Sequence, residues 1–143
     1  MKARDIMTTD GLQAVTPNDS VQDAARRMRD ADVGSLPVVD DLGSMRLVGL
    51  ITDRDIAIRH VAVDNATDCR VGDHMTKGRL HTVSADDDVD TVTRTMKAEQ
   101  VRRIPVVEGE RLIGIIAQAD IATGDVGDRE TGDTVEKISE PSR

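Results

Sequence analysis

Much of this chain is written twice. Met7-Thr8 recurs 68 positions on as Met75-Thr76, and Val15-Thr16 recurs as Val83-Ser84. Val21, Ala24 and Met28 fall on Val89, Val92 and Met96, and Leu36-Pro37-Val38-Val39 falls on Ile104-Pro105-Val106-Val107. The offset then drops to 65, because Gly49 matches Gly114. The extra residues lie in "DDLGSMR", residues 40–46, which reads as a hairpin loop. A length change confined to a turn marks a structural repeat, and a repeat restricts the fold to two copies of one supersecondary unit. A unit of fewer than about 60 residues buries too little surface to be secure alone. The two copies are therefore expected to pack face to face, sharing a core about a pseudo-twofold axis.

Each copy predicts the order strand, helix, strand, strand, helix, an α/β (α+β) unit. A short strand is expected at Gln13-Ala14-Val15 and again at Leu80-His81-Thr82-Val83. Pro17-Asn18-Asp19-Ser20, and residues 85–88 in the second copy, supply helix-capping chemistry. Apolar residues at i, i+3 and i+7 then predict a helix in each copy. "LPVVD" and "RLVGLI" read as buried strands, as do their counterparts in the second copy. Closing helices are expected at about residues 53–63 and 118–123. The domain division that follows is 1–66, 67–124 and an acidic tail, 125–143, rich in Gly, Asp, Glu, Ser and Thr. The tail reads as mostly disordered, with a short helix near residues 134–139.

Composition narrows the function. The net charge of −8 argues against nucleic acid as a general partner, since binding a phosphate backbone needs a basic surface. There is no Phe, Tyr or Trp, so a bound base would be gripped by aliphatic side chains and backbone. No apolar run approaches the roughly 20 residues that span a bilayer. Met1 to Asp5 turns polar too soon for a secretory signal, and Cys69 is the sole cysteine. A cytoplasmic location is expected, with no membrane partner.

The phrase that carries chemistry is "GLITDRD", residues 49–55, with its relative "GIIAQAD", residues 114–120. Gly49 permits close approach of a backbone or a ligand. Thr52 stands where a strand gives way to a helix, so its hydroxyl can cap the helix or meet a phosphate beside free amides. Asp55 lies one turn further, placed to accept hydrogen bonds from a vicinal diol such as a ribose. The same residues also read as plain capping residues, and both readings stand at this point. "VRRIPVV" sets Arg102 and Arg103 before a buried strand, either as a phosphate fork or as a solvated pair. The first copy has Gly34-Ser35 there. The second phrase lacks the threonine and has Ala117.

Other constellations are weaker. Asp86-Asp87-Asp88 with Asp90 lacks calcium-loop spacing and reads more simply as a helix N-terminus. His60, His74 and His81 show no metal-ligand spacing with Cys69, so no metal is expected. No Walker, Rossmann or G-x-S-x-G pattern occurs, and no nucleophile stands with a base and an orienting partner. The chain is expected not to be an enzyme.

Taken together, "RDIMT", "GSLPVVD", "GLITDRD", "VRRIPVV" and "GIIAQAD" resemble a tandem pair of CBS domains, the Bateman module, over residues 2–124. In detail the chain is similar to the stand-alone two-CBS proteins of the actinobacterial hypoxic-response type. The resemblance implies two related clefts that bind adenosine compounds, chiefly AMP, ADP or ATP, with no further cofactor. It assigns Leu50, Thr52, Arg54 and Asp55 to one cleft, with Val101, Arg102, Arg103, Ile104 and Pro105 opposite. It assigns Ile115 and Asp120, beside Ala117, to the other, with Val33, Gly34, Ser35, Leu36 and Pro37 opposite. The family's ribose-phosphate signature is met throughout residues 49–55 and broken at Ala117. The function implied is a regulatory sensor module. A ligand-free dimerisation or interaction scaffold is the alternative. A homodimer and an unidentified effector protein are the expected protein partners.

Overall fold

Capping and periodicity decide where the helices start and which face they bury. In the computed structural model, which describes residues 1–63, 69–78 and 80–123, helix α1 (Ala3–Ile6) is followed by α2 (Val21–Ala31), β1 (Ser35–Val39) and β2 (Leu47–Thr52). Helix α3 (Asp53–Asp55) runs into a wider π-helical turn over Ile56–Val61, and α4 (Val71–His74) follows. The second copy supplies β3 (Val83–Ser84), α5 (Val89–Glu99), β4 (Arg103–Glu108), β5 (Arg111–Ala117) and α6 (Gln118–Thr123). The α/β repeat order is as expected. The first strand of each copy is shorter than its sequence suggests. Val15 makes a single parallel bridge to Val38, and β3 has two residues. The expected acidic tail and its helix lie outside the described residues.

Helix α2 starts at Ser20, whose side chain accepts a hydrogen bond from the Asp23 amide. It buries Val21, Ala24 and Met28, and α5 buries Val89, Val92, Thr93 and Met96. Both helices end on a left-handed residue, Asp32 (φ 56°) and Gln100 (φ 52°), at equivalent positions of the repeat. Each buried aliphatic side chain contributes about 1.5–3 kcal/mol relative to exposure, and with no aromatics these contributions carry the cores.

The chain forms two compact units, and they do not follow the linear order of the repeats. The middle unit is Gln13–Leu80, and the terminal unit combines Met1–Leu12 with the chain from His81. In the middle unit β1 and β2 pair antiparallel, with Ser35 opposite Thr52 and Pro37 opposite Leu50. Its core is Val15, Ala24, Met28, Leu36, Val38, Ile51, Val71 and Met75. In the terminal unit β3 pairs parallel with β4, and β4 pairs antiparallel with β5, with Arg103 opposite Ala117 and Pro105 opposite Ile115. Its core includes Ala3, Val92, Met96, Ile104, Val106, Ile116 and Ile121.

The linear division at residues 66 and 67 therefore differs from the spatial one, and the reason is local. Helix α1 precedes the first copy yet belongs to the terminal unit. The Ala3 amide donates to Asp87 O (2.8 Å), and the Thr8 amide donates to Ile115 O (2.8 Å). Helix α4 precedes the second copy yet belongs to the middle unit. The Val71 amide donates to Asp19 O (2.8 Å), and the Thr76 amide donates to Leu50 O (2.7 Å). Each of these short segments satisfies the edge of β5 or β2.

The segments also explain the glycines of the repeated phrase. A Cβ on Gly49 would lie 2.8 Å from Thr76 O and 3.0 Å from Met75 Sδ. One on Gly114 would lie 2.7 Å from Met7 Sδ. The close approach read from the sequence is thus that of a Met-Thr segment crossing the strand.

Candidate functional site

Strand β2 ends at Thr52, which keeps extended backbone angles (φ −116°, ψ 161°) as the N-cap of α3. The Thr52 hydroxyl oxygen accepts from the Asp55 amide at 3.0 Å, and Asp55 Oδ2 accepts from the Thr52 amide at 3.0 Å. This reciprocal capping box is the plain reading of the two residues. It leaves chemistry unspent, because a hydroxyl that accepts one hydrogen bond still has its own proton to donate.

Asp55 is buried, at 9% exposure. The Thr76 hydroxyl donates to its Oδ2 at 3.3 Å, and Arg59 Nε lies 3.8 Å from Oδ1. Arg59 Nη1 also donates to His74 O at 3.4 Å. A buried carboxylate ringed by exchangeable donors is suited to taking hydroxyl groups of a ligand in place of them. Arg54 is exposed beside it.

The start of β1 adjoins this turn. Gly34 O accepts from the Asp53 amide at 2.9 Å, and a Cβ on Gly34 would lie 3.1 Å from Asp53 Oδ2. The structure thus brings Val33, Gly34, Ser35, Leu36 and Pro37 alongside Leu50, Thr52 and Asp55 within the middle unit. In the terminal unit the Gln118 amide donates to Arg102 O at 2.8 Å, and Asp120 Oδ2 accepts from the Ala117 amide at 2.7 Å. Val101, Arg102, Arg103, Ile104 and Pro105 there accompany Ile115 and Asp120. Arg102 and Arg103 are exposed, and neither guanidinium has an ion-pair partner among the described residues. Leu36 and Ile104 are fully buried in their own units' cores. What those two can offer a ligand is backbone.

The acidic run of the second copy is used locally. Asp87 Oδ2 accepts from the Ser84 amide at 2.8 Å, Asp86 pairs with Arg4, and Asp88 lies 3.2 Å from Lys2 Nζ. Sequence reasoning missed a different set. The imidazoles of His60 and His74 and the thiol of Cys69 offer ligand atoms that all lie within 4.8 Å of one another. Their spacing fits no standard motif. The available signal was coarser: the sole cysteine and two of the three histidines fall within residues 60–74. Sequence reasoning also missed Thr76 and Arg59, which reach Asp55 from another segment and from the next turn.

The profile of the CBS domain family matches residues 3–60 and 71–126. The chain belongs to the CBS-domain family and carries two copies of the domain. The uncharacterized protein YlbB of Bacillus subtilis is 39% identical over 139 residues, spanning 97% of this chain and 92% of that protein. Hypoxic response protein 1 of Mycobacterium tuberculosis is 36% identical over 120 residues, spanning 84% of this chain and 82% of that one. A crystal structure of Hypoxic Response Protein I with two coordinated zinc ions superposes with a TM-score of 0.74, covering 85% of this chain and 97% of that one at 36% identity. The crystal structure of CBSX2 in complex with AMP superposes with a TM-score of 0.71 at 29% identity, covering 85% and 93% of the two chains. Among the described residues, no helix is long and apolar enough to cross a membrane.

Proposed function

We propose that this chain is a non-enzymatic regulatory module that binds an adenine nucleotide, AMP, ADP or ATP, at the turn from β2 into α3. The observation that carries the reading is the buried Asp55 carboxylate set beside the Thr52 hydroxyl. A CBS relative of similar fold is complexed with AMP, which supports the ligand class. In this reading Asp55 takes the ribose hydroxyls, the Thr52 hydroxyl donates to phosphate, and Leu50 and Arg54 border the ligand. Ile115 and Asp120 form the equivalent in the terminal unit, where Ala117 supplies no hydroxyl. Arg102 and Arg103, exposed beside Ala117 and Gln118, are the cations that the terminal-unit position offers to phosphate.

The test is calorimetric titration with AMP, ADP and ATP, since the chain has no Trp or Tyr to report binding. Saturable heat that Asp55→Asn removes is the expected result. A folded chain that gives no heat with any of the three overturns the reading.

One observation favours the second reading, a dimerising interaction scaffold. Ile58, Val61 and Val63 are 45%, 57% and 80% exposed on and just after the π-helical turn. Large aliphatics grouped on a short helix are suited to a twofold contact. Light scattering over micromolar concentrations decides this part. A dimer mass lost in the double variant Ile58→Glu, Val61→Glu supports self-association through this face, and a monomer mass for the parent chain removes it.

A further inference from the structure

His60 and His74 are 6% and 9% exposed, and His60 Nδ1 and His74 Nε2 have no hydrogen-bond partner among the described residues. Buried imidazole nitrogens almost always find a partner, so two such orphans in adjacent rings call for an explanation. The ring centroids are 5.4 Å apart, in edge-on orientation at 65°. The third group close to them is Cys69, half-buried two residues before α4. One ligand atom from each residue lies within 4.8 Å of the other two.

We propose that His60, Cys69 and His74 bind one Zn2+ ion. Two imidazoles and a thiolate are the soft and borderline donors that favour zinc over calcium or magnesium. In a tetrahedral site with bonds of about 2.0–2.3 Å, neighbouring ligand atoms sit roughly 3.3–3.6 Å apart. Closing from 4.8 Å to that spacing needs an approach of about 1 Å, within reach of side-chain rotation. Binding converts the Cys69 thiol to thiolate and releases its proton to solvent, while both imidazoles bind neutral. Three protein ligands leave a fourth position for water. The ion would tie the π-helical turn that follows Asp55 to α4, both in the middle unit. The proposal rests on these three side chains and is independent of whether a nucleotide binds.

The experiment titrates the chelator-stripped full chain with Co2+ and then Zn2+. One Co2+ per chain is expected, with visible bands of a tetrahedral site and a near-ultraviolet thiolate band that Zn2+ abolishes. Cys69→Ser should remove the thiolate band. His60→Gln and His74→Gln should each weaken Zn2+ binding at least tenfold in competition with a chromophoric chelator. His81→Asn, in the terminal unit, should change nothing. Circular dichroism checks that each variant folds. A measurement on the parent chain needs no variant: Zn2+ should slow alkylation of Cys69 by a maleimide. No stoichiometric binding, unslowed alkylation, or equal affinity in Cys69→Ser overturns the proposal.

Discussion

The Asp55 amide donates to the Thr52 hydroxyl and the Thr52 amide donates to the Asp55 carboxylate, both at 3.0 Å. In the second copy only one of these bonds has its partner, because Ala117 has no hydroxyl. Thr52→Ala should lower stability by about 1 kcal/mol, the usual cost of a lost N-cap. Ala117→Thr should raise it by about 0.5–1 kcal/mol by restoring the missing half. Urea unfolding of both variants checks the pair, and like-signed shifts would contradict it.

The same asymmetry bears on nucleotide affinity. If two positions bind, the one at Asp55 should be tighter by a few-fold, since one hydroxyl contact contributes about 0.5–1.5 kcal/mol. Asp55→Ala should abolish the tighter heat in calorimetry and Asp120→Ala should leave it largely intact. The opposite pattern would reassign the stronger position to the terminal unit.

Gly49→Ala should destabilise more than Gly114→Ala. The new methyl at residue 49 meets a backbone oxygen, Thr76 O at 2.8 Å, which is held by its own strand bridge. At residue 114 the nearest atoms belong to the Met7 side chain, which can rotate in part. Overpacking of this kind costs about 1–3 kcal/mol, and Gly49→Ala belongs at the upper end. Thermal melts of the two variants give the order directly.

Asp40 provides a pH-dependent element. The Ser44 hydroxyl and then the Arg46 guanidinium hold its carboxyl down to about 2, against an ordinary value of 3.8. A lowered folded-state value means stability that is present above 3.8 and is lost as pH falls towards 2. Asp40→Asn should therefore lower the unfolding midpoint slightly at neutral pH and converge with the parent near pH 2. Carbon-detected titration of the Asp40 carboxyl should show a midpoint near 2.

Much of the architecture was legible because it is periodic. The i, i+3, i+7 spacing of Val21, Ala24 and Met28 announces α2, Ser20 marks its start, and the extra residues at 40–46 mark the β1–β2 loop. The candidate site was legible as a phrase, since Thr52 and Asp55 lie three residues apart and meet in space. Thr76 was not, because its hydrogen bond to Asp55 joins residues from different segments. Helices α1 and α4 have four residues each, too few to show a period, so their place in the opposite unit left no local mark. His60, Cys69 and His74 come from a π-helical turn, the approach to α4 and its last residue, and their convergence depends on that docking. The reason for Gly49 lay in the same place, since the atom it admits belongs to Thr76.

The exchange of α1 into the terminal unit sets a schedule for synthesis. A ribosome makes Thr8 about 100 residues before its partner Ile115, a delay of about 5–20 s at ordinary elongation rates. Through that interval Ala3 and Met7 have no core to join. The middle unit meets no such delay, because α4 emerges directly after the strands it covers. The nascent chain is thus expected to complete the middle unit first and to close the terminal unit last, on residues made about 100 positions earlier. Substitutions in "RDIMT" would then act chiefly on the final folding step and hardly on the first.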